Sequence, residues 1–92
     1  MPSEKARQKL LDYGVDDDVV MFDDEAYNDA LVGVSLHPGT RAVYDYHKMI
    51  DELSEYNHWS YEEAAEWIDC NTLRALPYLG DESPIVIDLF DE

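Results

Sequence analysis

Apolar positions recur at helical spacing in three stretches and gather into short strand-like runs between them. Residues 4 to 13 (EKARQKLLDY) are strong helix formers, with Ala6, Leu10 and Leu11 expected on one stripe and Gly14 as the stop. Residues 19 to 22 form a short apolar run that suits a strand or a helical turn, and Asp23 or Asp24 is placed to cap a short turn through Tyr27. Residues 31 to 36 predict a strand, the HPGT segment a type II turn with Pro38 and Gly39 at its centre, and residues 41 to 44 the returning strand of a hairpin.

The second half reads as helices. Asp45 is placed to cap a helix whose inner stripe is Tyr46, Met49, Ile50, Leu53 and Tyr56 or Asn57. Ser60, with Glu63 three residues later, opens a third helix through a capping box, its inner stripe being Tyr61, Ala64, Ala65, Ile68 and Thr72. Pro77 and Gly80 are expected to end it; residues 81 to 83 make a turn, and residues 84 to 89 supply a strand able to join the hairpin. Leu73 and Leu76 close the core in this reading, Trp67 lies in it, Cys70 is half-buried packing, and Arg74 bridges nearby carboxylates. Trp59 is read as a staple onto the third helix in preference to an exposed anchor. The expected fold is α+β, a short antiparallel sheet with two to three helices packed on one face, in one domain over residues 1 to 92.

Charge is the strongest feature of the composition. The chain carries 22 acidic and 6 basic residues, and from residue 10 onward 21 acidic against 3 basic. Two rows of carboxylates fall on the outer faces of the second and third helices: Asp51, Glu52 and Glu55, then Glu62, Glu66 and Asp69. Asp16, Asp17 and Asp18 form a further acidic loop. Like charges at helical spacing cost stability, and few lysines are present to offset them. The alternatives are a face that is acidic for solubility and a chain adapted to a saline cytoplasm, which its 13 Asp against 3 Lys would also suit.

Candidate chemistry is sparse. His37, His47 and His58 lie ten or eleven residues apart, unlike zinc ligands on a helix, and the clusters at 16 to 18 and 23 to 25 lack a calcium-loop pattern. No nucleophile elbow, phosphate loop or metalloprotease motif is present, so neither an enzyme nor a cofactor is expected. No segment approaches the roughly 20 apolar residues of a membrane span. The single cysteine cannot form an internal disulfide, and a cytoplasmic protein is the simplest expectation.

The segment YEEAAEWIDCNTLRALPYLG (residues 61 to 80), preceded by VYDYHKMIDEL and followed by PIVI, resembles a family of small acidic proteins carried by bacteriophages, prophages and conjugative elements. Trp67, Ile68, Asp69, Asn71, Thr72, Arg74, Ala75, Leu76, Pro77 and Tyr78 carry the likeness; Cys70 stands where an aromatic is expected, and the first 28 residues contribute nothing to it. The resemblance implies a mobile-element origin, where genes often encode anti-CRISPR or other counter-defence proteins, several of them acidic mimics of DNA. It carries no catalytic residue across.

The expected partner is therefore a basic nucleic-acid-binding host protein, a CRISPR–Cas effector first, inside the host bacterial cell. Direct binding to nucleic acid or membrane is not expected, and the sequence assigns no oligomeric state. The alternative is a small regulatory or assembly module of a mobile element that docks through an apolar face.

Overall fold

The computed structural model describes residues 4–14, 19–22, 25–37, 39–80 and 83–89. In chain order it forms α1 (Glu4–Asp12), a 3₁₀ turn (Glu25–Ala30), β1 (Leu31–Val34), β2 (Ala42–Asp45), α2 (Tyr46–Asn57) and α3 (Tyr61–Trp67). A π-helical turn (Ile68–Thr72), an α-turn (Leu73–Ala75), a second 3₁₀ turn (Leu76–Leu79) and β3 (Ile85–Ile87) follow. The fold is α+β, as the pattern implies.

The hairpin forms where the alternation places it. β1 and β2 pair antiparallel, Leu31 opposite Tyr44 and Val34 opposite Ala42, with a bulge between Leu31 and Gly33. Ser35 closes its open end: its N–H donates to the Arg41 carbonyl at 2.8 Å, and its hydroxyl donates to the Gly39 carbonyl at 2.6 Å. The type II turn was expected around Pro38, which lies outside the described residues. β3 joins the far side of β2, Val43 opposite Ile85, but runs parallel to it, so the sheet is mixed and not antiparallel throughout. Parallel neighbours need a long crossover, and α2, α3 and the turns after them provide it.

α2 leaves β2 without a loop. The buried Asp45 carboxylate accepts from the His47 N–H at 3.1 Å and starts the helix. Met49, Ile50 and Leu53 are buried, whereas Tyr56 lies in solvent. The helix ends on His58, held in the left-handed region at φ 57, with its N–H donating to the Ser54 carbonyl. A Cβ costs about 1–2 kcal/mol in that conformation, which glycine adopts freely. After allowing for glycine's looser unfolded chain, His58→Gly is expected to raise stability by about 0.5–1 kcal/mol in urea denaturation.

α3 opens with the anticipated capping box: Ser60 Oγ accepts from the Glu63 N–H at 3.2 Å, and the Glu63 carboxylate accepts from the Ser60 N–H at 3.4 Å. Ala64 and Ile68 are fully buried behind it. Past Ile68 the helix widens into the π turn, in which Leu73 donates back to the Ile68 carbonyl, five residues away. The Trp67 carbonyl accepts from the Asn71 side chain at 2.9 Å, and Thr72 turns inward to pair with the Tyr27 hydroxyl at 2.9 Å. Pro77 does not stop the chain's winding but converts it to 3₁₀, which continues to Gly80 at φ 88.

The core lies where α2, the first 3₁₀ turn, α3 and the inner face of β2 meet. Phe22 is its aromatic centre, 4.7 Å from Tyr44 and 5.5 Å from Tyr27 between ring centroids, and its N–H donates to the Tyr44 hydroxyl at 3.2 Å. The run at 19 to 22 is thus irregular backbone that delivers Met21 and Phe22 to the interior.

Several side-chain placements differ from the sequence reading. Leu11 is exposed although Leu10 is buried, because neighbours on a helix point about 100° apart and only one of them faces inward. The same geometry turns Cys70, two residues past Ile68, outward, so it is exposed and not half-buried. Trp67 is 39% exposed, at the border of the inner stripe and not within it. Arg74 is exposed and makes no ion pair among the described residues. No helix among the described residues is long and apolar enough to cross a membrane.

Candidate functional site

The helices present most of their carboxylates to solvent. Asp51 and Glu55 are exposed on α2, as are Glu62, Glu66 and Asp69 along α3 and the π turn; Glu52, at the border of its face, is half-buried. Asp16, Asp17 and Asp18 lie outside the described residues. At a rise of about 1.5 Å per residue, Glu62 and Glu66 stand about 6 Å apart along the helix on one side. Not all of this acidity asks for a function. Glu62 and Glu63 occupy the first turn of α3, where the helix dipole favours a carboxylate. Glu55 is different: it sits in the last turn of α2, at the negative end, with no basic residue beside it. Glu66 follows Glu62 at the spacing where like charges repel.

Two of the chain's six cations are engaged elsewhere. Lys9 Nζ donates to the carbonyls of Leu31 and Asn28 at 3.1 and 3.3 Å. Arg41 donates to the Ser83 carbonyl at 2.7 Å and to its hydroxyl at 3.1 Å, holding the entrance to β3. Both cap polar groups of the fold; Lys48, one turn before Glu52 on α2, and Arg74 stay exposed, and none of the helix-face carboxylates makes an ion pair among the described residues.

A polar cluster missed by the sequence reading joins the start of α2 to α3 and to the end of β3. The Tyr46 hydroxyl donates to Asp69 at 2.8 Å. His47 bonds Asp88 through Nε2 and the Tyr61 hydroxyl through Nδ1, each at 2.8 Å. A carboxylate only accepts, so Nε2 carries the proton and, in the neutral ring, Nδ1 accepts from Tyr61. His47 and Asp88 are 50% and 69% exposed, so the bond orients the groups more than it stabilises the fold. Its effect is to set Asp88 and Asp69 beside the first turn of α2, adding Asp88 to the acidic surface.

Desolvation at the half-buried Tyr46 ring, then the bond to Asp69 and the negative groups around it, push that phenol up to about 12. The neutral phenol is the form the fold prefers, so its contribution to stability is complete below pH 10 and is lost as pH rises through about 12. In an alkaline titration followed by phenolate absorbance, one tyrosine should therefore ionise last, and Tyr46→Phe should remove that late step.

Two of the concave features on the surface bear on binding. A groove of about 680 Å³ follows β1 and is flanked by Lys9 and Lys48, with Asp29 also on its wall. Four consecutive β1 residues line it, although alternate side chains point to opposite faces; the groove therefore runs along the outer edge of the sheet. A smaller hollow of about 330 Å³ lies on α3 between Trp59, Trp67, Glu63, Glu66, Cys70 and Asn71. Trp59, just before the Ser60 cap, packs partly against the core, and its ring lies 6.3 Å from that of Trp67 at 45°. Among the described residues no group of three or more His, Cys, Asp or Glu side chains is placed to hold a metal ion. Comparison with protein-family models, with curated proteins and with solved structures finds no match to the chain.

Proposed function

We propose that the protein is a non-catalytic inhibitor of a host nucleic-acid-binding complex, a mobile-element product whose acidic helices occupy a lysine- and arginine-lined groove meant for DNA. A CRISPR–Cas effector is the leading partner. One observation carries the reading: Glu55 and Glu66 are held in solvent on ordered helices, without an ion pair among the described residues, and Glu55 stands against the helix dipole. Carboxylates placed at a cost to the fold are explained by a partner that supplies the missing positive charge. Scale supports the same view. A net charge of −16 on a globule roughly 30 Å across, the size compact-domain scaling gives a chain of this length, is one charge per roughly 2 Å, close to the spacing of about 1.7 Å along duplex DNA.

A second reading is favoured by the groove along β1: a regulatory or assembly module that takes an extended partner segment onto the outer sheet edge. Exposed Lys48 beside an apolar trough suits a segment with alternating apolar side chains and a carboxylate, and two copies of so acidic a chain repel one another. The readings separate on replacing Glu55, Glu62 and Glu66 by lysine, which removes binding by the acidic helices and leaves edge docking intact.

A further inference from the structure

We infer that the hollow between Trp59 and Trp67 is a receptor for a cationic side chain, an arginine guanidinium in first place, presented by the partner. This deepens the reading above and rests on it for the identity of the donor, a basic groove. It says which contact would be specific within an interface otherwise made of diffuse charge.

Two indoles meet at 6.3 Å between centroids with their planes tilted by 45°, so their faces do not stack on each other. Trp67 leaves a large part of its ring in solvent, although it is among the most apolar groups of the chain. A ring face carries the negative lobe of the aromatic quadrupole and attracts cations, indole most strongly. Glu63 and Glu66 lie on the wall of the same hollow. The Glu63 carboxylate is already engaged with the Ser60 N–H, whereas Glu66 has no ion pair among the described residues. An aromatic face and an uncompensated carboxylate at one hollow call for the same ligand, a flat delocalised cation that stacks on the ring and donates to the acid. An ammonium satisfies the carboxylate but stacks less well, and a neutral amide does neither.

Position supports this chemistry. Trp59 is fixed from both sides, its N–H donating to the Ser54 carbonyl at 3.0 Å and its carbonyl accepting from Ser54 Oγ at 2.6 Å. Asn71 is held by its bond to the Trp67 carbonyl at 2.9 Å. The receptor is thus set before the ligand arrives, and it lies on the helix that carries Glu62 and Glu66. Buried aromatic anchors surrounded by weaker polar contacts are the usual concentration of energy in a protein interface.

The two tryptophans are the only ones in the chain, so their indole N–H signals report on this hollow without background. The test is a two-dimensional ¹H–¹⁵N NMR titration of the full chain with N-acetyl-arginine amide and with its neutral isostere N-acetyl-citrulline amide, followed by an octa-arginine peptide. Saturable movement of both indole signals with the arginine probe, absent with citrulline, is expected. Glu66→Gln should weaken the arginine response about threefold and Trp67→Leu about fivefold; both positions are exposed, so the folded spectrum should persist in each variant. Equal responses to arginine and citrulline, or still indoles under arginine, would overturn the receptor. The octa-arginine arm separates it from the broader reading. Shifts confined to the backbone of the acidic faces with unmoved indoles would sink the receptor alone, whereas moving indoles with unmoved signals at Asp51, Glu55 and Glu62 would keep the receptor and contradict the acidic faces.

Discussion

Replacing Glu55, Glu62 and Glu66 together by lysine is expected to weaken binding to the basic partner by about two orders of magnitude or more while the protein stays folded. Each exchange turns an attraction into a repulsion, and exposed pairs contribute about 0.2–1 kcal/mol apiece. Three such reversals, with the loss of electrostatic steering that raises association rates some 10- to 1,000-fold, reach that size. The substitution takes the net charge from −16 to −10 and places no new group in the core, since all three positions are exposed. It puts a lysine near the C-terminal end of α2, where the dipole favours it, but exchanges the Glu62–Glu66 repulsion for a Lys–Lys one and sets a lysine in the first turn of α3, where the dipole opposes it. These small local terms largely offset one another, so the urea midpoint should hold as binding collapses. Surface-based affinity measurements on the unmodified and reversed chains, beside their denaturation curves, check both halves. Binding that survives the reversal would favour docking at the β1 edge.

Ile68→Ala is expected to be the most damaging single substitution in α3 and the π turn that continues it, costing about 3–4 kcal/mol. Ile68 is fully buried, and it stands where α3 passes into the π turn, between Ala64 on one side and Thr72 on the other. Truncation removes apolar contacts and opens a cavity that the turn cannot collapse into, because its neighbours are tied by Asn71 to Trp67 and by Thr72 to Tyr27. Against a total stability of roughly 5–14 kcal/mol for a chain of this length, such a loss moves the urea midpoint far. Cys70→Ala, two residues on but exposed, should leave it nearly unchanged. The pair of variants therefore also tests the register of the helix.

These contrasts show which parts of the molecule the residues announce by themselves. Local signals succeeded where one segment decides its own structure: Asp45 and Ser60 cap α2 and α3, and the alternation in β1 and β2 makes a hairpin. Outer-face carboxylates were legible for the same reason, since helical spacing alone puts Glu62 and Glu66 opposite Ala64 and Ile68. Side-chain errors on the helices were avoidable: the 100° step already excludes Leu11 and Cys70 from stripes that hold Leu10 and Ile68. Other features depend on contacts between distant residues and leave no local trace. The direction of β3 follows from the crossover, not from its own side chains. His47 and Asp88 are 41 residues apart, and nothing in either neighbourhood implies the other. The π turn answers to Tyr27 across the core, because Thr72 must reach it. Trp59 and Trp67 were each read alone, and their meeting became visible only with α3 in place.

The most direct test of the acidic helices as a stand-in for a polynucleotide is competition. The tagged protein would be immobilised, exposed to lysate of a bacterial host, and the captured protein challenged with duplex DNA at about 0.15 M salt and with buffer at about 0.5 M salt. Screening shortens from about 8 Å to roughly half that between these conditions. The expected result is a nucleic-acid-binding protein released both by DNA and by salt. A captured partner that stays bound through both challenges would contradict the account.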